Sequence, residues 1–288
     1  MFPVFKASDA LVLLGHGTIL NRDSCTTVLK HAESLRTMGL FGQVEAAFWK
    51  QEPGIQNVLN LISASRVFIV PMFISDGYFS GHVIPEALGF SRKTSLSNSL
   101  ENHCRVLCQS GRTLYYTEPV GTHPEMTKVL LQSAEEALRK FPVPHMPPRS
   151  EITLLIAGHG TPRNPDSRKS VERQADLISR MDVYAAVHPV FMEEEPLIAN
   201  WRQRTHTPYA VVAPHFIGEG LHVTEDIPVL LGEPEHRVRE RLAKHLPSWP
   251  NPLEKQGVLI WYAASAGANK LLAEVILARV AQAAATAG

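Results

Sequence analysis

Cysteine is scarce in these 288 residues, and Cys25, Cys104 and Cys108 form an odd set without a C-x-x-C pair. That excludes a disulfide framework and denies a zinc ribbon or iron–sulfur cluster its ligands, so the three are expected to be reduced thiols. Net charge is also missing, because 28 Lys plus Arg balance 28 Asp plus Glu. No global positive field exists to hold a nucleic acid or an anionic membrane, and any acidic ligand must be held locally. Long apolar runs are absent as well. Stretches such as Ile152 to Ala157 fall far short of a membrane span, and Met1 to Gly15 lacks the basic start of a secretory signal. A cytoplasmic protein is the expectation. With 44% apolar and 19% charged residues the chain is not a disordered one. Histidine is the residue in excess: 13 of them, more than Phe or Tyr, which hints at metal or proton chemistry.

The chain contains itself twice. Gly15-His16-Gly17-Thr18 recurs as Gly158-His159-Gly160-Thr161, and the same ungapped offset pairs Asn21, Asp23 and Ser24 with Asn164, Asp166 and Ser167. It goes on to pair Val44 and Phe48 with Val187 and Phe191, Glu52-Pro53 with Glu195-Pro196, and Phe73-Ile74 with Phe216-Ile217. Gly77 then meets Gly220, and Ile84-Pro85 meets Ile227-Pro228. One register held over so many positions is a tandem duplication. The two repeats are expected to be separate domains, residues 1–142 and 149–288, with the proline-rich Phe141 to Ser150 as linker.

Each half opens with a short apolar run, a Gly-rich turn and a stretch of helical length. Second strands are expected at Val44 to Trp49 and Val183 to Met192, and third strands at Val67 to Phe73 and Tyr209 to Phe216. Pro53 to Ser63 and Pro196 to Arg204 read as helices with proline near the first turn. A fourth strand and closing helix follow in each half: Leu114 to Glu118 then His123 to Lys140, and Val258 to Ala263 then Ala268 to Ala283. Such alternation implies βαβ units, so the expected fold class is α/β. Two duplicated, doubly wound parallel-sheet domains are expected, with a ligand cleft between them and ligands at the carboxyl ends of the strands.

His16 and His159 each follow the first strand of their half, between two glycines that let backbone approach a bulky ligand. The alternative is a Gly-rich turn whose histidine is satisfied by backbone, and recurrence in both halves weighs against it. Asn21, Asp23, Ser24 and their counterparts read first as helix caps. On the second strands Glu45 stands opposite His188, each in an apolar run, where a titratable group needs a partner. Each is either part of a site or a strand residue whose head group reaches solvent. After the third strands Phe79 occupies the position of His222, while His82 and His215 have no counterpart. The second half thus offers His159, His188 and His222 as a metal set, three imidazoles suited to a divalent first-row ion. The first half offers His16, Glu45 and an aromatic.

GHG-[ST], V-E-x-A-F with a following E-P, P-x-F-[IL]-x-x-G-x-H, D-I-P and the first half's Pro119-Val120-Gly121-Thr122-His123-Pro124 together resemble the CbiX/SirB family of class II tetrapyrrole chelatases. Both halves carry the likeness. It implies insertion of cobalt, iron or nickel as a divalent substrate ion into sirohydrochlorin or a related tetrapyrrole, in cobalamin or siroheme biosynthesis, without a nucleotide cofactor. Carried over, the family's metal-handling histidines fall on His159 and His222, with His16 the first-half equivalent and Glu45 the acidic partner. Phe79 in place of a second histidine, and His188 in place of the acid, are departures from the pattern. The macrocycle's rim of carboxylates makes Arg22, Arg163, Arg168 and Lys169 candidate clamps, although for any one of them a solvated helix face is the stronger reading. The partner implied is this small molecule, with no nucleic acid and no membrane, and the duplication makes a monomer self-sufficient. A histidine phosphatase is set aside because no Arg precedes either GHG. The rival of another class is a non-catalytic tetrapyrrole or metal carrier, and turnover separates the two.

Overall fold

A computed structural model describes residues 5–17, 23–90, 104–162 and 165–285. Asn21, Arg22, Arg163 and Asn164 lie outside them. In chain order the strands and α-helices begin with β1 (Ala10–Gly15), α1 (Asp23–Thr37), β2 (Gln43–Phe48), α2 (Ile55–Leu61), β3 (Arg66–Pro71) and α3 (Ile84–Ala87). There follow β4 (Cys104–Gln109), β5 (Arg112–Thr117), α4 (Met126–Lys140), β6 (Ile152–Gly158), α5 (Pro165–Ser179) and β7 (Ala186–Phe191). The chain ends with β8 (Tyr209–Pro214), α6 (Ile227–Leu230), α7 (Glu235–Ala243), β9 (Leu253–Lys255), β10 (Val258–Tyr262) and α8 (Leu272–Ala285).

Two five-stranded sheets result, in the order β2-β1-β3-β5-β4 and β7-β6-β8-β10-β9. All neighbours are parallel except the edge pairs β4–β5 and β9–β10. The central strands β1 and β6 are buried along their whole length, as strands covered on both faces must be. The expected α/β class and duplicated sheets are therefore present. The antiparallel edges were not anticipated. Each is a hairpin closed by two residues of positive φ, Ser110-Gly111 and Gln256-Gly257, which matches the strand twist as a type I′ turn does.

The compact units are not the sequence repeats. One consists of residues 1–123 with 270–288, the other of residues 124–269. Within the first, α8 packs on β3, β5 and α1; within the second, α4 packs on β8, β10 and α5. The closing helix of each repeat has been exchanged. Arg279 on α8 is 2% exposed and donates to the Pro119 carbonyl (3.0 and 3.2 Å), Glu118 Oε2 (2.8 Å) and Thr122 Oγ1 (2.6 Å), so its charge is buried with partners. In the second unit Asn269 Nδ2 donates to Ser133 Oγ on α4 (3.1 Å). The proline-rich stretch expected as a linker between domains therefore belongs to the second unit. Trp261 Nε1 donates to the Phe141 carbonyl there (2.8 Å), and Arg149 makes two hydrogen bonds to Glu135 (2.5 Å each).

Candidate functional site

In each sheet the strand order reverses between the first strand and the third, so the loops after β1 and β3, and after β6 and β8, open a crevice at the strand ends. In the second unit this crevice holds His159 and His222. Gly160, at φ +63, turns the chain sharply, and a Cβ there would lie 2.7 Å from Phe191 Cβ, so only glycine fits the turn. The His159 carbonyl accepts the backbone N–H groups of Met192 (3.0 Å) and Glu193 (3.3 Å). This ties the end of β7 to the histidine and brings Glu193 Oε1 to 3.7 Å from His159 Nε2. After β8 the chain enters a single π-helical turn, His222–Asp226, that runs into α6. Turns of that class recur at functional sites. The two imidazoles meet edge to face with centroids 5.0 Å apart, and Phe216 lies 6.3 Å from His222.

The hydrogen bonds fix which nitrogen of each ring is available. His159 Nδ1 lies 2.7 Å from the Gly160 carbonyl, and His222 Nδ1 lies 2.7 Å from Asp226 Oδ2. A carbonyl and a carboxylate can only accept, so both Nδ1 atoms carry hydrogen and both Nε2 lone pairs of the neutral rings are left for a ligand or a proton. A carboxylate behind an imidazole is the usual support of a metal-binding histidine.

The expected trio is not assembled. His188 lies in the middle of β7, opposite Leu155, so four residues, or about 13 Å of strand, separate its level from that of His159. Its imidazole is held below the ordinary value of 6.5 by burial, and then by the charges of Arg204 and His206. Among the described residues no group of three or more His, Cys, Asp or Glu is placed to hold a metal ion. Glu45 is likewise displaced from His16. It pairs with Val12 in mid-strand, lines a surface pocket with Leu29, Lys30 and Pro53, and lies 3.7 Å from Arg36 Nη2. The acidic neighbour that sequence reading missed is Glu193. Glu193, Glu194 and Glu195 are consecutive, yet their tasks differ. Glu194 accepts from the Thr161 N–H (2.9 Å), Glu195 accepts from the Leu197 N–H (3.0 Å), and only Glu193 of the three approaches a histidine. The repeat register held the signal, since it sets Glu193 against Lys50, a change of charge next to the repeated histidine.

Of the expected clamps, Arg168 is engaged with Glu172 (2.7 Å) and the Glu195 carbonyl (2.8 Å), and Lys169 with Asp166 (3.2 Å). His215 is fully buried, its Nε2 3.2 Å from Ser170 Oγ.

The first unit repeats the scaffold with different chemistry. His16 Nδ1 lies 2.9 Å from the Gly17 carbonyl, and the His16 carbonyl accepts the Lys50 N–H (2.9 Å). Burial lowers the His16 pKa most, the Gly17 hydrogen bond opposes this, and the nearby Lys50 charge lowers it further. Phe79 meets His16 edge to face at 5.2 Å, in the place where His222 meets His159.

Each repeat is matched separately by one family: the chain matches CbiX over residues 10–137 and again over residues 153–283. The chain belongs to the CbiX family. A probable sirohydrochlorin cobaltochelatase of Halobacterium salinarum is 34% identical over 285 residues, which is 97% of this chain and 93% of that protein. Among solved structures, a multi-domain protein of Deinococcus radiodurans with structural similarity to chelatases matches at TM-score 0.74 and 26% identity. That match covers 96% of this CbiX-family chain but only 55% of the Deinococcus protein, which has two additional domains. SirB from Bacillus subtilis with Fe3+ matches at TM-score 0.66 and 18% identity, over 97% of this chain and 96% of SirB, which establishes a common fold.

Proposed function

We propose that this CbiX-family chain is a sirohydrochlorin chelatase that inserts divalent cobalt or iron into the macrocycle, and that the second unit handles the metal. The observation that carries the assignment is the His159–His222 pair, each ring backed at Nδ1 and open at Nε2. Insertion replaces two pyrrole N–H protons by one divalent ion, so the enzyme must present the ion, accept protons and then let go. The two imidazoles form an open pair suited to a weakly held ion, and one carboxylate lies 3.7 Å from His159 Nε2. His159 and His222 would ligate it, and Glu193 would steady the charge or take a proton. His188 and Glu45 have no part in this reading. Nickel as a third substrate ion, a cytoplasmic location, independence from nucleotides and a monomeric state belong to the same proposal. Among the described residues no helix is long and apolar enough to cross a membrane.

The test is anaerobic incubation of the purified chain with sirohydrochlorin and Co2+ or Fe2+, followed by absorbance. Insertion should exceed the spontaneous rate, and His159→Ala and His222→Ala should each fall back close to it. Tight pigment binding by the wild-type chain without any rate above background would establish the carrier reading instead.

A further inference from the structure

Position by position, the first strand-end crevice keeps one imidazole, His16 in the place of His159, and has lost the other groups that fit the second for a cation. Where the second unit has His222, Asp226 and Glu193, the first has Phe79, Val83 and Lys50. The replacements share a chemical sense. Phe79 packs edge to face on His16 at 5.2 Å, Phe73 lies 6.4 Å from the same imidazole, and Tyr78 lies 6.0 Å from Phe79 with 67% of its surface exposed. Over this cluster the Lys50 ammonium sits 5.1 Å from the Phe79 ring centroid. Lys50 is exposed, and no carboxylate among the described residues pairs with it.

We propose that the strand-end crevice of the first unit is a metal-free binding face for the macrocycle, in which Phe79 and Tyr78 take the flat conjugated ring and Lys50 takes one of its peripheral carboxylates. The inference rests on the proposed function for the identity of the ligand. Tyr78 leaves an aromatic face in solvent beside the partly buried Phe79, and an ammonium with no carboxylate partner among the described residues suits a ligand that carries acid groups on its rim. The same backbone is thereby used twice with opposite sign. Imidazoles and carboxylates serve a cation in one unit, whereas aromatics and an ammonium serve a planar polyanion in the other. His16 meets Phe79 edge to face where His159 meets His222; in this proposal it is packing for the ring and holds no metal.

The experiment uses the full chain and metal-free sirohydrochlorin, titrated in the presence of a chelator and followed by pigment absorbance. Lys50→Glu is expected to raise the pigment Kd by about tenfold or more and to flatten its salt dependence, while Lys50→Arg stays within about threefold of wild type. Phe79→Ala should weaken binding at low and high salt alike. His222→Ala should bind pigment within about twofold of wild type despite losing insertion, and His16→Ala should leave the Co2+ affinity of the chain unchanged. In insertion assays Lys50→Glu should raise KM for the pigment in step with Kd, with kcat little altered. Wild-type pigment affinity in Lys50→Glu and Phe79→Ala, with wild-type insertion intact, overturns the binding face and leaves the proposed function standing. So does equal loss of metal-free binding in His222→Ala. Lys50-dependent pigment binding in a wild-type chain that inserts no metal retains the face and overturns the function.

Discussion

Asp226 and Glu193 differ in what they touch, and their variants should differ accordingly. Asp226 accepts from His222 Nδ1 and holds that ring in its tautomer, so Asp226→Asn should lower insertion or Co2+ affinity about 10–100-fold, the usual cost of removing such a support. Glu193→Gln keeps the shape beside His159 but removes the charge, and should reduce kcat more than pigment KM in steady-state assays. His188 supports a prediction about stability. Its folded pKa lies below 6.5 because burial disfavours the imidazolium, so the unfolded chain takes up a proton first as pH falls. Stability is therefore lost below about 6.5 and continues to fall until pH passes the lowered folded value. Urea midpoints at pH 7.5 and 5.5 should drop less in His188→Gln than in the wild-type chain, while His188→Gln should retain insertion activity. His159 and His222 could be read from the repeat, because two glycines and a third-strand register mark them. Glu193 could not, because charge runs give no direction and only the hydrogen bonds of its neighbours show which glutamate is left to approach His159.

At the level of elements, the loops that end the third strands are held by a close backbone approach. The Gly267 N–H donates to the Phe216 carbonyl (2.8 Å), and a Cβ on Gly267 would lie 1.7 Å from the Ile217 carbonyl oxygen. Gly121 stands in the same relation to Phe73 and Ile74, with a Cβ-to-oxygen distance of 2.2 Å. Backbone cannot swing aside as a side chain does, so Gly267→Ala should cost about 3 kcal/mol or more, the upper end for overpacking. Gly39→Ala, at φ +65 with nothing within 4 Å, should cost only about 1 kcal/mol of backbone strain. Urea denaturation of both variants checks the contrast. The parallel strands were legible because buried apolar runs recur at one spacing. The edge hairpins were not, since β9 has three residues and β4 is only half-buried, leaving Ser110-Gly111 and Gln256-Gly257 as their one local signal. The π-helical turns carry no sequence period of their own and were invisible for that reason.

For the whole molecule, the duplication was legible and the exchange of closing helices was not. Both α4 and α8 are apolar on the face they bury, and either sheet offers a matching face, so the hydrophobic pattern cannot say which sheet each covers. Removal of residues 270–288 is therefore expected to damage the first unit. Hydrogen exchange should show protection falling in β3 and β5, which lose α8 and the Arg279 anchor, while β8 and β10 keep α4. Conversely, a fragment of residues 1–142 should not reach the stability of the first unit in the intact chain, because it carries α4 and lacks α8. The discontinuity also orders events at the ribosome. The second unit is one unbroken stretch, whereas the first lacks its complete last helix until 162 further residues beyond His123 have been made. At roughly 5–20 residues per second that is a delay of about 8–32 s. During vectorial synthesis the half that begins first is the half that finishes last, and a nascent chain stalled anywhere in the second repeat exposes the uncovered face of β3 and β5 to whatever chaperone attends it.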